Sequence, residues 1–209
     1  MKRGLARPTL LALLGLTVCT TLVASGEEVV IRTVVHDKAI LVRKSQELHM
    51  IQTTTHCRSL AGYQGKTVFL LYAANHSLDP GSHLLLRNPH RRCRILHSVA
   101  LDGLSDSKAR STSEPLRQSP ALLALQGALL LLGQDPGTIG EEAGTMRVLN
   151  SMRQRYGYDA SIVGLKKTVR AIALRVISKN ARDARAVEVG RKLLNMAFAP
   201  ESPVVVPGA

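Results

Sequence analysis

Two hydrophobic periods divide this chain. Over residues 28–101 the apolar residues fall in short runs, EVVIRTVVH, KAILVRK, ELHMIQTT, KTVFLLYA, SHLLLRN and RCRILHSVA, each rich in Val, Ile, Leu and Thr. Turn residues separate the runs, and segments of this length and composition predict six β-strands. In LDPGSH, Pro80 presets its own φ and Gly81 accepts a positive one, which predicts a tight turn. GYQGK, from Gly62 to Lys66, predicts a further hairpin turn in the same way. Six such strands imply a small antiparallel sandwich or barrel spanning residues 27–104.

The sequence from Asp102 to Pro120, DGLSDSKARSTSEPLRQSP, has little that a core could bury. A linker over residues 105–119 follows. After it the period becomes helical. Ser119 and Pro120 suit the start of a helix whose Leu122, Leu125, Leu129 and Leu132 repeat at spacings of three and four, with Gly133 ending it. A second helix is expected over residues 145–156, with Val148, Leu149 and Met152 buried and Gly157 as its stop. A third is expected over 162–179, carrying Leu165, Val169, Ile172 and Val176 on one face. Asn180 then predicts the cap of a last helix running to about Phe198, with Asp183 in its first turn. The expected fold class is therefore α+β: a β domain, then a separate helical domain over residues 120–199 with three helices plus a C-terminal one. Residues 200–209 read as a disordered tail.

Within that helical part, Leu125-Gln126, Leu132-Gly133, Asp135-Pro136-Gly137, Ile139-Gly140, Gly144-Thr145 and Arg155-Tyr156-Gly157 occur in a fixed order. This pattern over residues 122–157 resembles the small three-helix peptidoglycan-binding domain found in many exported wall hydrolases and transpeptidases. The chain departs from that family in lacking the usual Asp before the loop Gly, in losing two residues after Gly144, and in carrying Met152-Arg153 where the family has Phe-Gln. The resemblance implies a glycan-facing loop over the first helix end, with Asp135, Thr138, Arg153, Arg155 and Tyr156 as ligand-binding residues. With no Trp in the chain, and only Tyr156, Tyr158 and Phe198 as rings in this part, polar and basic contacts would carry most of the binding.

The compartment follows from the other end of the sequence. Lys2, Arg3 and Arg7 precede an almost wholly apolar run over residues 9–23, which the small residues Ala24-Ser25-Gly26 close. Residues 1–26 therefore read as an export signal, too short for a membrane span, and the protein as periplasmic or secreted. Removing the signal lowers the formal charge from +13 to +10. The excess favours anionic partners such as wall polymer, with no specific nucleic acid. It is concentrated over residues 166–192, where nine Lys and Arg stand against Asp183 and Glu188, a local net of +7. Lys166, Lys167 and Arg170 are the candidate polyanion-binding residues there.

Only Cys57 and Cys93 remain after the signal. In an oxidising compartment an even pair predicts a disulfide. Two alternatives use the same residues. His56, His90 and His97 lie near them in sequence, but no CxxC or HxxxH spacing supports zinc. TTTHCRS, residues 53–59, resembles distantly the nucleophile segment of L,D-transpeptidases, without the Gly before Cys57 or an upstream His-Gly. The chain has no Gly-x-Ser-x-Gly elbow, no HExxH and no phosphate-binding loop. The expectation is a non-catalytic envelope protein with no cofactor and no metal. The alternatives are an envelope assembly protein whose helical domain docks a protein partner and, less favoured, a wall-modifying enzyme using Cys57.

Overall fold

The computed structural model describes residues 25–73, 78, 80–86, 91–105 and 119–198. Most of the expected signal and linker, all of the tail, His90 and the segment around His76 lie outside the described residues. The six expected strands all form: β1 (Gly26–Val35), β2 (Lys38–Val42), β3 (Leu48–Thr53), β4 (Thr67–Leu71), β5 (His83–Leu86) and β6 (Arg91–Ala100). They close into an antiparallel barrel in the order β1-β2-β3-β6-β5-β4. Because β3 lies beside β6 and not β4, the last four strands make a Greek key. Val29, Ile31, Ala39, Leu41, Ile51, Val68, Leu70, Leu84, Leu86 and Ile95 fill the interior.

The β3–β4 connection departs from expectation. Thr55–Tyr63 forms 3-10 turns kinked at Cys57, so GYQGK ends that crossover rather than joining two neighbouring strands. The Gly65 N–H donates to the Ile31 carbonyl at 2.6 Å and the Ile31 N–H to the Lys66 carbonyl at 3.0 Å, which feeds β4 onto β1. Gly81 does take a positive φ, +99°, in its turn.

Four helices follow: α1 (Pro120–Leu131), α2 (Glu142–Arg155), α3 (Ile162–Lys179) and α4 (Ala184–Phe198). α1 is apolar all round and central, with every residue from Leu123 to Leu131 buried. One cluster joins it to Ile40, Leu48 and Met50, on the outer faces of β2 and β3, and to Ile172, Val176, Val189 and Leu193 of α3 and α4. Strands β2 and β3 are thus buried on both faces, which explains their continuous apolar runs. Polar ties support this packing: Arg32 of β1 pairs with Asp183 and donates to the Asn180 side chain at 2.9 Å.

The last helix corrects one expectation. Asn180 closes α3, its side chain donating to the Val176 carbonyl at 2.9 Å. Asp183 caps α4, accepting from the Arg185 and Ala186 N–H groups at 2.9 and 3.1 Å. The Asp183 carboxylate, charged and placed beside the first free N–H groups, takes the cap, as the helix dipole favours.

One end of the barrel holds charge. Arg43 binds Glu27, Glu47 and the Tyr72 hydroxyl, and the Tyr72 hydroxyl also donates to Glu27. Burial, with the Glu27 hydrogen bond, pushes the Tyr72 phenol up to about 12. Beside this group His49 is buried, with neither ring nitrogen hydrogen-bonded and Glu47 3.6 Å away. Burial, then Arg43, lowers the His49 pKa below its ordinary 6.5, outweighing the pull of Glu47 and Asp102. The unfolded chain therefore takes up this proton first as pH falls. The His49 contribution to stability is whole above 6.5 and is lost as pH drops through the lowered pKa. Urea midpoints at pH 7.5 and 5 should fall for the native chain and fall less for His49→Gln. Asp37, whose pKa is also lowered, acts only below its ordinary 3.8 and does not enter this window.

Candidate ligand groove

The loop between α1 and α2 is built around Gln126. Its side chain is fully buried and its amide donates to the Thr138 and Glu141 carbonyls and the Thr145 hydroxyl at 3.0, 3.1 and 2.9 Å. Its own carbonyl accepts from the Gly140 N–H at 2.9 Å. Thr145 closes the other side by donating to the Pro136 carbonyl at 2.8 Å. Ile139 drops into the core, 2% exposed. Gly137, at φ +81°, lies so near Gly144 that a Cβ on either would come within 2.7 Å of the other's Cα. A side chain at Gly137 would meet both the wrong φ and backbone that cannot yield.

Polar strand residues hold this loop against the barrel. Lys38 is 4% exposed, and its ammonium lies 2.7 Å from Asp37 and 3.1 Å from Asp135. Gln52 donates to Asp37 at 2.9 Å and accepts from the Ile139 N–H at 3.1 Å. Burial would raise the Asp37 pKa, but the hydrogen bonds from Lys38 and Gln52 prevail and hold it below the ordinary value. Asp135 also accepts from the Gly137 N–H at 3.0 Å, and His36, at a positive φ of 56°, stands 3.8 Å away. A cleft of about 640 Å³ opens there, lined by His36, Asp37, Thr55, Ala61 and Asp135. Its carboxylates are already engaged with Lys38.

On the other side of Asp135 a groove of about 350 Å³ runs between the loop and α2. Gln134, Asp135, Gly137, Gly144, Arg147, Val148, Ser151, Met152 and Arg155 line it. It adjoins a smaller pocket of about 220 Å³ at the ends of α1, α2 and α3, which Arg155, Tyr156, Arg175 and Lys179 border. Tyr156 and Tyr158 pack edge-tilted nearby, with ring centroids 5.9 Å apart.

The expected site residues are thus divided. Asp135 and Arg155 share the groove, and Tyr156 joins Arg155 at the smaller pocket. Thr138 serves the loop through its carbonyl. Arg153 is half-buried, and its Nε, like the Tyr156 hydroxyl, is buried without a hydrogen-bond partner. Lys166, Lys167 and Arg170 are exposed on the N-terminal half of α3. Sequence reasoning passed over Arg147, Arg175 and Lys179. The available signal was spacing: Arg147, Ser151 and Arg155 recur every four residues on α2, as Arg175 and Lys179 do at the end of α3.

Cys57 and Cys93 sit at disulfide distance, with Cα atoms 5.6 Å apart, which engages both sulfurs. Among the described residues no group of three or more His, Cys, Asp or Glu is placed to hold a metal, and no helix is long and apolar enough to cross a membrane. Compared with protein-family models, curated proteins and solved structures, the chain gives no significant match.

Proposed function

We propose that this chain is an exported, non-catalytic protein of the bacterial envelope that binds peptidoglycan or an associated anionic wall polymer through its helical region. The groove beside α2 carries the reading. Arg147 and Arg155 have no acidic partner among the described residues and suit the free carboxylates of a stem peptide. Gln134 and Ser151 offer hydrogen bonds to hydroxyl and amide groups, while Val148 and Met152 supply an apolar floor. Gly137 and Gly144 leave one wall without side chains, so a ligand can approach the backbone. The export signal read from residues 1–26 places the chain where such polymers are found.

Retention of the purified protein on isolated sacculi tests this. Binding is expected at low salt and should weaken as salt replaces released counterions. Arg147→Gln with Arg155→Gln should reduce retention by about tenfold, the loss of roughly 1.4 kcal/mol that one or two charge-assisted contacts supply. Lys166→Gln, Lys167→Gln and Arg170→Gln together should lower the salt dependence while leaving most low-salt retention. Absence of retention at both low and moderate salt rejects the reading.

A second reading, docking onto a protein partner, is favoured by exposed apolar residues at the start of α3. Ile162 is 74% and Val163 58% exposed. Cross-linking in the envelope should then recover one stoichiometric protein without glycan.

A further inference from the structure

The pocket where α1, α2 and α3 end is, we propose, a binding site for a phosphate monoester, with Arg155, Arg175 and Lys179 as its cationic wall. Charge balance is the first argument. Leu132, Tyr156 and Lys179 border the pocket at the C-terminal ends of the three helices. Each helix end carries about half a negative charge, roughly −1.5 together, and cations there complement it. Arg155, Arg175 and Lys179 bring three full positive charges, none with an acidic partner among the described residues. The surplus of about +1.5 exceeds what the dipoles need and is close to the charge of a phosphate monoester at neutral pH.

Size and donors agree. At roughly 30 Å³ per water, a pocket of about 220 Å³ has room for a phosphoryl head and a short carbon stem. Two guanidinium forks match tetrahedral oxyanions, and an ammonium adds a point charge. Tyr156 also borders the pocket. Arg175 and Lys179 are one turn apart on α3, where like charges repel, and a bound dianion relieves that repulsion. This inference stands apart from wall binding, because Arg175 and Lys179 do not line the larger groove.

The test is a calorimetric titration of the purified protein at low salt with glycerol 3-phosphate, inorganic phosphate and acetate. Saturable binding of both phosphates in the millimolar range or tighter is expected, with acetate at least about tenfold weaker because it carries a single charge. Arg175→Gln with Lys179→Gln should weaken both phosphates about tenfold or more, and Arg175→Lys with Lys179→Arg should restore most of the affinity. Should the neutral pair fail to fold, Arg175→Gln alone is titrated, with the same direction expected. The proposal is overturned by no saturable binding, by acetate matching phosphate, by inorganic phosphate binding without the monoester, or by folded variants that bind as the native chain does. Sacculus retention measured alongside separates the two ideas: the neutral pair should keep it.

Discussion

Replacing Gln126 with Leu is expected to cost about 3 kcal/mol, a large part of a typical folding free energy of roughly 5–15 kcal/mol. Leu fits the apolar surroundings of α1, so the effect measures the lost polar contacts. The Gly140 N–H loses its acceptor outright. A buried donor left without a partner costs about 1–3 kcal/mol. The Thr138 carbonyl keeps the Glu141 N–H, so its loss adds less. At about 2–4 °C per kcal/mol for a chain of this size, the melting temperature should drop by roughly 6–12 °C. Thr145→Val should cost less alone, and the double variant should cost less than the sum, because both residues close one network. A loss under about 1 kcal/mol, or strict additivity, would mean that the loop does not depend on Gln126. Because Gly137 and Gly144 line the groove, Gln126→Leu should also weaken sacculus retention in protein that remains folded.

The barrel and helices were legible because their signals are periodic. All six strands fall on the expected runs, with β1 starting two residues early at Gly26 and β6 one early at Arg91, and α3 covers the expected residues, since alternation and the spacing of Leu, Val and Ile report directly on burial. The Thr55–Tyr63 crossover was not legible: it is short, mixed in composition and without an amphipathic repeat, so only the turn glycines stood out. Lys38 and Gln52 were hidden for another reason. A charged or amide residue on a strand reads as facing water, yet on β2 and β3 the outer face is covered by helices, and both residues are spent on the α1–α2 loop. That covering is a long-range fact which local pattern does not carry.

The candidate site was half legible for the same reason. Asp135, Arg155 and Tyr156 could be chosen because they flank glycines whose turn chemistry is written in the sequence. Gly137 and Gly140 do adopt positive φ, at 81° and 85°, and Ile139 is buried, as that chemistry requires. Arg175 and Lys179 lie some twenty residues further on and join Arg155 only when α3 packs on α2. From sequence they were two of nine cations on a basic stretch, with nothing to separate those at a pocket from those facing water.

Removing the disulfide should have an effect as large as the Gln126 change, through a different term. Cys57 lies in the 3-10 crossover and Cys93 on β6, 36 residues apart, with both side chains buried. Closing a loop of that length restricts the unfolded chain by about 3–4 kcal/mol in the chain-entropy account. Cys57→Ala with Cys93→Ala should therefore lower the urea midpoint and steepen the slope, because the unfolded chain without the cross-link exposes more surface. The loss should also be local. The crossover is otherwise held by few bonds, among them the Cys57 N–H to the Thr54 carbonyl at 2.9 Å and the Thr54 N–H to the Arg94 carbonyl at 3.1 Å. Amide exchange should accordingly quicken over residues 55–63 before it does in α1. Thr55 and Ala61 wall the cleft beside His36, so that cleft should loosen while the groove on α2 keeps its shape. Sacculus retention of the folded double variant should then match the native chain, whereas a loss of retention would tie the barrel-side cleft to binding. Intact mass of the protein purified from an oxidising compartment should be two hydrogens short, with no thiol open to alkylation. Two alkylated cysteines would remove the cross-link from the stability argument and return Cys57 to the candidates for a nucleophile.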